Sequence, residues 1–476
     1  MNNQKMNLVI MLPDQMRADY LSCYGHEYIN TANIDRLSRE GVRFNRAYCA
    51  APLCGPSRIS FVTSMRMSEH GRRNYTSCID YTVPNLISSL KQAGYRTGMF
   101  GKNHCFLYDQ LETIWDKLHE ICLGNYDEHP QYTRSFDAFE LEKDHPYNIT
   151  ASLTDEAIAF MDDCPGDAPF VCWLNWQDPH PAFTCPKPYA AMFDPDRVTL
   201  PKNRRSKRDP SKPKRLENWR INSQADTCSE DQARRAIAMY MGQCRYIDDQ
   251  VGRLMTYLEK TDKLHNTLIV FLSDHGEFLG DFGVFHKLPV FYECLSRIPV
   301  IMRYPHGTVK PFAFNGLIEE VDLAPTILHS LSIPIPQSMA GKSFFDDIQS
   351  NDDTGRPHVL VEAGIQAPTP DGPDPQKKHK APFAPNSYGP GAMVTDGRFK
   401  LSMYYDDLNE LYDIETDPYE MNNLFDEAAY SDVRAKMMQL LVSRLLGSGV
   451  RNINGAWTER FVDVRENPPE SRVVIE

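Results

Sequence analysis

Residues 6–15 read MNLVIMLPDQ, and residues 267–276 read TLIVFLSDHG. Each segment is an apolar run that changes abruptly to polar residues, Asp-Gln in the first and Asp-His in the second. A short apolar run of this kind is typical of a strand buried on both faces of a parallel sheet. Because α/β sheets bind ligands at the carboxyl ends of their strands, the two polar pairs predict a site at one sheet edge.

Further strands and helices alternate with these two segments through the first 350 residues. Strands are predicted at 42–48, 95–100, 170–176 and 298–302, and helices at 32–39, 84–92, 154–161, 229–258 and 322–331. The alternation predicts an α/β fold with a large, mostly parallel sheet flanked by helices on both faces. We therefore assign residues 1–350 to one α/β domain.

The sequence changes character after residue 350. Pro, Asp and Gly dominate residues 351–390, which we interpret as a linker or loop. Asp396-Gly397 between strand-forming residues predicts a hairpin, followed by a strand near 409–413 and a helix near 429–446. Residues 351–476 are therefore predicted to form a smaller C-terminal α+β domain built on an antiparallel sheet.

Composition excludes several classes of protein. The 476 residues carry a formal charge of −13, which argues against a nucleic-acid partner. No apolar run approaches the roughly 20 residues of a membrane span, and the N-terminal residues lack a signal-peptide core. The twelve cysteines show no CxxC pairing, so we expect reduced thiols and a cytoplasmic location. Residues 202–215 depart from the acidic balance, with eight basic residues and one acidic residue.

The polar pairs at the strand ends are candidate metal ligands. Asp14, Gln15 and Asp274 offer oxygen atoms that suit a hard divalent cation, and His275 also tolerates a softer metal. Either pair alone is more typical of a turn or a helix cap than of a metal site. Their combination predicts a metal site.

The segment Cys54-Gly-Pro-Ser-Arg58 is followed by residues of helical character. Pro56 suits the first turn of a helix, which would place Cys54 at the positive helix end, where anions bind and thiol pKa values fall. The alternative is a buried cysteine beside an ordinary helix cap.

Three more polar segments follow predicted strands. They contribute Lys102 and His104 in GKNH, His180 in DPHP, and Lys287 after His286. A single Lys or His is more often solvated or structural, but their recurrence at successive strand ends favours one shared site.

These motifs, in this order, resemble those of type I sulfatases, the formylglycine-dependent branch of the alkaline phosphatase superfamily. The resemblance covers nearly the whole chain and includes NIDRL at 33–37, CGPSR at 54–58, GKNH at 101–104, SDHGE at 273–277, DLAPT at 322–326, GRFK at 397–400 and LYD at 411–413.

The resemblance implies a mechanism centred on Cys54. A formylglycine-generating enzyme would oxidise this residue to Cα-formylglycine, and one hydroxyl of the hydrated aldehyde would attack the sulfur of a sulfate ester. The second hydroxyl would lose its proton to His104 and expel sulfate. Arg58 would steady the hydrate, Lys102 and Lys287 would hold sulfate oxygens, and His180 would protonate the leaving oxygen.

The resemblance also implies one divalent metal held by Asp14, Gln15, Asp274 and His275. Ca2+ is the family's usual metal, but Gln15 and His275 replace the Asp and Asn that many members have, so Mn2+ and Zn2+ are alternatives. The usual Leu-Thr-Gly after the signature is Val62-Thr-Ser64 here. Because the modifying enzyme reads this region, conversion of Cys54 is a separate prediction.

Two other functions compete with a sulfatase. One is a phosphonate monoester or phosphodiester hydrolase of the same superfamily, and the other is an inactive binder of sulfated glycans. For a sulfatase we expect a small anionic sulfate ester, with a glycosaminoglycan-derived sugar as the leading hypothesis and no nucleic-acid or membrane partner. Residues 202–215 would then contact extra anionic groups of the substrate, or form a solvated surface loop.

Overall fold

The computed structural model describes residues 5–74, 77–121, 134–142, 145, 148–166, 168–205, 208–365 and 388–449. The strands are β1 (Asn7–Met11), β2 (Val42–Tyr48), β3 (Arg96–Gly101), β4 (Lys117–Glu120), β5 (Ala138–Leu141), β6 (Phe170–Asn175), β7 (Phe183–Pro186), β8 (Thr267–Leu272), β9 (Arg297–Arg303), β10 (Phe312–Glu319), β11 (Val359–Ile365), β12 (Tyr388–Thr395), β13 (Phe399–Tyr404) and β14 (Glu410–Asp413). The helices are α1 (Ala32–Glu40), α2 (Cys54–Thr63), α3 (Met67–His70), α4 (Leu86–Gln92), α5 (Leu111–Ile114), α6 (Thr150–Asp162), α7 (Lys214–Asn222), α8 (Glu230–Lys260), α9 (Glu293–Ser296), α10 (Leu323–Ser330), α11 (Phe345–Ser350) and α12 (Ser431–Gly449).

Eight strands form one large sheet in the order β10-β2-β9-β8-β1-β6-β3-β4. The central strand β1 pairs in parallel with β8 on one side and with β6 on the other. Only β9 runs against its neighbours, because it pairs antiparallel with both β2 and β8. The prediction of a large, mostly parallel sheet is therefore confirmed.

Both faces of this sheet are covered by helices. In β1, Leu8 and Ile10 belong to one hydrophobic core, which includes residues of α2, α4 and α10. Val9 and Met11 belong to a second core, which includes residues of α1, α6 and α8. All four side chains are at most 1% exposed, which explains why the strand is apolar at every position rather than at alternate positions.

The C-terminal region forms a separate four-stranded antiparallel sheet in the order β11-β12-β13-β14. Met437 and Leu441 of α12 pack against Val394 and Leu401 on this sheet. A C-terminal antiparallel sheet with a helix is thus confirmed, whereas the domain boundary at residue 350 stays a prediction.

Five of the described strands were not predicted, namely β4, β5, β7, β10 and β11. β11 lies inside 351–390, so the interpretation of that whole segment as a loop is wrong. Val359 and Val361 of β11 pack into the core of the large sheet, and Leu360 between them packs into the core under α12. This alternation is short, and the Pro, Asp and Gly residues around it obscure the strand pattern in the sequence. β10 is interrupted by Asn315-Gly316, where its register with β2 shifts. Residues 366–387 of the predicted loop lie outside the described residues.

Within the described ranges, no helix combines the length and the apolar character needed to cross a bilayer. No disulfide joins the eleven cysteines of the described residues, and their reduced state stays a prediction.

We expect Gly101→Ala to destabilise the protein. Gly101 has φ +110°, and a Cβ atom there would lie 1.9 Å from the carbonyl oxygen of Asn175 on β6. The positive φ and the backbone clash together should lower the free energy of unfolding by at least about 1–3 kcal/mol, measured by urea denaturation. Gly447→Ala in α12 is the control, because an added Cβ meets nothing within 4 Å. Equal stability of Gly101→Ala and wild-type protein would contradict this account.

Candidate active site

The predicted residues from two strand ends and from the helix α2 converge at the carboxyl edge of the large sheet. Ligand atoms of Asp14, Cys54, Asp274 and His275 all lie within 4.8 Å of one another, and all four residues are buried. The Cys54 sulfur lies 3.3 Å from His275 Nε2 and 3.6 Å from Asp14 Oδ1. Two polar pairs 260 residues apart therefore meet around the first residue of α2.

Backbone hydrogen bonds hold the two strand ends together. The Gln15 N–H donates to Asp274 Oδ1 at 2.9 Å, and the Met16 N–H donates to Ser273 Oγ at 2.8 Å. Gln15 has φ +69°, in the left-handed region, which turns the chain sharply after β1. Its side-chain oxygen accepts a hydrogen bond from Lys287, so Lys287 also reaches this edge.

His275 presents one particular nitrogen to the cluster. Its Nδ1 donates to the carbonyl oxygen of Gly276 at 2.9 Å, which leaves Nε2 directed at Cys54. Burial lowers the pKa of His275, but Asp274 and Cys54 together outweigh burial and Lys287 and raise the pKa above its usual value. Two carboxylates and an imidazole nitrogen form a donor set that fits a divalent cation.

Buried cations balance the two carboxylates. The Lys102 ammonium contacts Asp14 Oδ2, and Arg58 Nε donates to Asp274 Oδ2 at 2.9 Å. Arg58 also donates to the carbonyl oxygen of Lys102 at 3.1 Å and to Asn175 Oδ1 at 3.0 Å. Burial raises the pKa of Asp14, but Lys102 and the neighbouring cations outweigh it and hold the pKa well below its usual value. Asp14 is therefore anionic at neutral pH.

The thiol of Cys54 differs from an inert buried cysteine. Burial and Asp14 raise its pKa, but Lys102, Lys287 and His275 outweigh them and lower the pKa to about 7. By contrast, burial raises the pKa of the Cys49 thiol well above its usual value. The environment of Cys54 thus favours the negative charge that a reactive thiol carries.

The two predicted proton-transfer residues, His180 and His104, follow different strands and differ in their surroundings. His180 lies beyond β6, is 9% exposed, and directs Nδ1 at the carbonyl oxygen of Pro181 at 2.5 Å. Burial and Lys287 lower its pKa well below the usual value, which shows that it shares the field of this site. His104 follows Lys102 by two residues, with φ +47° and a half-buried side chain. Its part in proton transfer stays a prediction.

Three residues that contact this network were given no role from the sequence. Asn175 accepts from Arg58, and as the polar last residue of β6 it could have been found in the same way as the other strand ends. Glu277 accepts from the Gln15 amide and was quoted only as part of SDHGE. The Glu320 carboxyl group lies 2.7 Å from Ser57 Oγ near the start of α2, and nothing in its sequence context signals this contact.

The basic residues 202–215 are partly structural. The Lys212 ammonium is buried, donates to Tyr412 Oη at 2.6 Å, and lies over the ring of the same residue. Arg215 is 2% exposed and pairs with Asp406 at 2.7 Å. The end of the segment therefore binds the C-terminal sheet. In its first part, Arg204 is half-buried and donates to the carbonyl oxygen of Cys228 at 3.1 Å, whereas Arg208 is exposed and is left for the predicted substrate contact. Residues 206–207 of the segment lie outside the described residues.

Comparison with known proteins identifies the family. A protein-family model described as Sulfatase matches residues 6–333, and a second one, N-sulphoglucosamine sulphohydrolase, C-terminal, matches residues 384–445. The chain belongs to the sulfatase family. This membership indicates a sulfuric ester hydrolase, in agreement with the resemblance seen in the sequence motifs.

Individual relatives agree in length as well as in fold. The N-acetylglucosamine-6-O-sulfatase of Bacteroides thetaiotaomicron is 26% identical over 92% of this chain and 86% of the relative. A protein solved in complex with its substrate D-glucosamine-2-N,6-O-disulfate is 24% identical, with a TM-score of 0.75 over 94% of this chain and 98% of that one. The phosphonate monoester hydrolase of Agrobacterium radiobacter is 21% identical, with a TM-score of 0.78 over 93% and 96%. This sulfatase therefore shares its fold with enzymes named for two kinds of ester.

We expect Ca2+ to raise the melting temperature of the metal-free protein. Two buried carboxylates and an imidazole converge only in the folded state, so a cation at 100 times its Kd should stabilise that state by about 2.7 kcal/mol. Asp274→Asn should remove most of this stabilisation, because it replaces one anionic ligand with a neutral one.

The measurement is a thermal denaturation series with Ca2+, Mn2+ or Zn2+. Glu230→Gln, at the exposed start of α8, is a charge-matched control that should keep the full effect. If Asp274→Asn were stabilised as strongly as wild-type protein, the cation would bind elsewhere.

Proposed function

We propose that this sulfatase releases inorganic sulfate from a sulfated sugar, in particular a glycosaminoglycan-derived mono- or oligosaccharide. The observation that carries the proposal is the position of Cys54 at the start of α2, within 4.8 Å of Asp14, Asp274 and His275 and next to buried cations. The relative named N-acetylglucosamine-6-O-sulfatase and the structure containing a glucosamine disulfate support a sugar as the carrier of the sulfate.

Cys54 is proposed to be converted to Cα-formylglycine by a modifying enzyme. The CGPSR sequence and the buried, anion-favouring environment of the thiol support this assignment. The group supplies a nucleophilic hydroxyl that an ordinary cysteine lacks. Eleven unpaired thiols in the described residues support a reducing compartment, and we propose the cytoplasm.

Asp14, Gln15, Asp274 and His275 would hold one divalent cation, with Ca2+ as first choice and Mn2+ or Zn2+ as alternatives. Bound there, the cation would supply Lewis-acid chemistry and neutralise negative charge. Asp14 already pairs with a positive charge in this structure, because the Lys102 ammonium contacts its carboxylate.

Lys102, Lys287 and Arg58 give the site its affinity for an anion. Lys102 and Arg58 are both fully buried, so their charges act in a medium of low dielectric constant and attract sulfate oxygens strongly. Charge that develops on those oxygens during sulfur–oxygen cleavage would be stabilised by the same groups without reorganisation.

His180 is proposed to protonate the leaving oxygen of the sugar. Its Nδ1 is directed at the Pro181 carbonyl, so Nε2 is the nitrogen that can carry the transferred proton. Burial and Lys287 lower the pKa of His180, and a bound sulfate ester would oppose Lys287 and favour the protonated form. His104, two residues beyond Lys102, is proposed to accept the proton of the second hydroxyl, whose loss would accompany the expulsion of sulfate.

A phosphonate monoester hydrolase is the competing function. The Asp14-Gln15 pair and the fold similarity to the Agrobacterium radiobacter hydrolase favour it. The Lys and His of GKNH at 101–104 favour the sulfatase, since the competing enzymes tend to lack both. An inactive binder of sulfated glycans would need neither proton-transfer histidines nor a metal site.

Sulfate release tests the proposal. We expect release from N-acetylglucosamine 6-sulfate or from sulfated unsaturated disaccharides, measured by ion chromatography. Cys54→Ala should lower kcat at least about 10³-fold, because the nucleophile is lost. Cys228→Ala is the matched control, since that thiol is partly exposed and outside the cluster.

Two outcomes would contradict the proposal. A larger kcat/KM for an aryl phosphonate than for every sulfate ester would favour the competing hydrolase. An unmodified Cys54 in the mass of its tryptic peptide, from protein made in the native host, would favour the glycan binder.

The first part of the basic segment can be tested separately. Replacing Arg204, Arg205, Lys207 and Arg208 with Ser should raise KM for a multiply sulfated sugar, because the substrate loses attraction to positive charge. KM for a singly charged aryl sulfate should stay unchanged. Equal effects on both substrates would make the segment an ordinary surface loop.

A further inference from the structure

Glu320 is a buried acid directly below the candidate active site. It lies in a 3-10 turn after β10, and it is 1% exposed. Within the described part of the chain, no Lys, Arg or His side chain lies within ion-pair distance of its carboxyl group. An isolated carboxylate at such a position would be costly, since burial strongly disfavours an unpaired charge.

The hydrogen bonds of Glu320 lead to the active site through one hydroxyl group. The Ala50 N–H donates to Glu320 Oε2 at 2.8 Å. Ser57 Oγ lies 2.7 Å from Oε1 and 2.9 Å from Oε2 of Glu320. The same Ser57 oxygen lies 2.7 Å from the carbonyl oxygen of Asp274. Ser57 thus connects the first turns of α2 with the residue at the end of β8.

A count of hydrogen atoms decides the charge of Glu320. The Ser57 hydroxyl has one hydrogen, and the Asp274 carbonyl oxygen can only accept. If Glu320 were ionised, Ser57 could satisfy only one of these two neighbours, and the other contact would bring two acceptor oxygens to 2.7 Å. If Glu320 is protonated, its O–H donates to Ser57, and Ser57 donates to Asp274. Every short contact then contains one hydrogen.

We infer that Glu320 is a neutral glutamic acid that acts as a positioning residue, holding Cys54 in register with Asp274 through Ser57. The effect of this positioning on catalysis rests on the proposed function. The protonated state of Glu320 does not depend on that function. Because Ser57 is three residues after Cys54 in α2, this chain of hydrogen bonds fixes the start of the helix against the end of β8.

The charged groups around Glu320 agree with a neutral acid. Burial raises its pKa well above the usual value, and Asp274 raises it further, while the Ala50 N–H, Ser57 and Arg58 lower it less. The nearby Cys49 thiol, whose pKa burial and Glu320 both raise, adds no positive charge.

A neutral Glu320 is also compatible with the binding of an anionic sulfate ester. Asp14 and Asp274 already bring two buried carboxyl groups to this edge, and a third anion below Cys54 would oppose the binding of a sulfate ester. A protonated Glu320 donates to Ser57 and accepts from the Ala50 N–H. It also adds no negative charge that would weaken the positive field of Lys102 and Arg58.

The test compares two substitutions. In Glu320→Gln, the amide can donate to Ser57 and accept from Ala50, so we expect kcat/KM within about threefold of wild type and an unchanged pH profile. Glu320→Ala should lower kcat more than tenfold with a smaller change in KM, and weaken the Ca2+-induced rise in melting temperature. A tenfold loss or a shifted pH profile in Glu320→Gln would overturn the inference.

An infrared measurement tests the protonation state without any assay of activity. The difference spectrum of wild type minus Glu320→Gln at pH 7 should contain the C=O stretching band of a protonated carboxyl group. A carboxylate band in its place would overturn the inference. If the protonated band were present but no sulfate ester were hydrolysed, the proposed function would fail and the neutral Glu320 would stand. The infrared comparison and the kinetics of Glu320→Gln can both be carried out even if Glu320→Ala does not fold.

Discussion

The central constraint on this protein is the burial of two carboxylates, Asp14 and Asp274, within one small cluster. Two such anions repel each other and lose their hydration, so the folded state must supply positive charge beside them. Arg58 and Lys102 do this, with Arg58 paired to Asp274 and within 3.6 Å of Asp14, and with Lys102 paired to Asp14. Each of these cations is itself fully buried, so neither half of the arrangement would be stable without the other.

Much of the surrounding architecture serves this arrangement. Arg58 can reach Asp274 only because α2 begins at the sheet edge, and α2 is held there by Ser57 and Glu320. Lys102 can reach Asp14 because the chain leaves β3 through Gly101, whose missing side chain lets the Lys102 N–H bond the Asn175 carbonyl at 3.1 Å. The order of the strands thus becomes a functional property, since β1 lies between β8 and β6 and brings all these residues within reach.

The sequence predicted those parts that follow from local pattern. β2 and β8 both have the predicted bounds. For β8 the reason is local, because its apolar run ends at the polar residues Ser273 and Asp274. β9 was predicted as a strand, but its antiparallel direction depends on connections that no local pattern records. The same limit applies to the site. Lys102 and His180 were found from their motifs, whereas Glu320 gained importance only through a contact with Ser57, 263 positions away in the chain.

The net charge of −13 is therefore a poor guide to what this protein binds. At the candidate site the field is set by Lys102, Arg58 and Lys287, which lower the pKa of the nearby carboxyl group Asp14. The basic residues 202–215, which first appeared to be the exception, prove to be partly internal, since Arg215 pairs with Asp406. An anion is attracted by the few charges that the fold buries around the reacting atoms, because exposed charges farther away are screened by water and salt. For the same reason, a proton on the buried Glu320 would favour sulfate binding, because it removes a negative charge close to the reacting atoms.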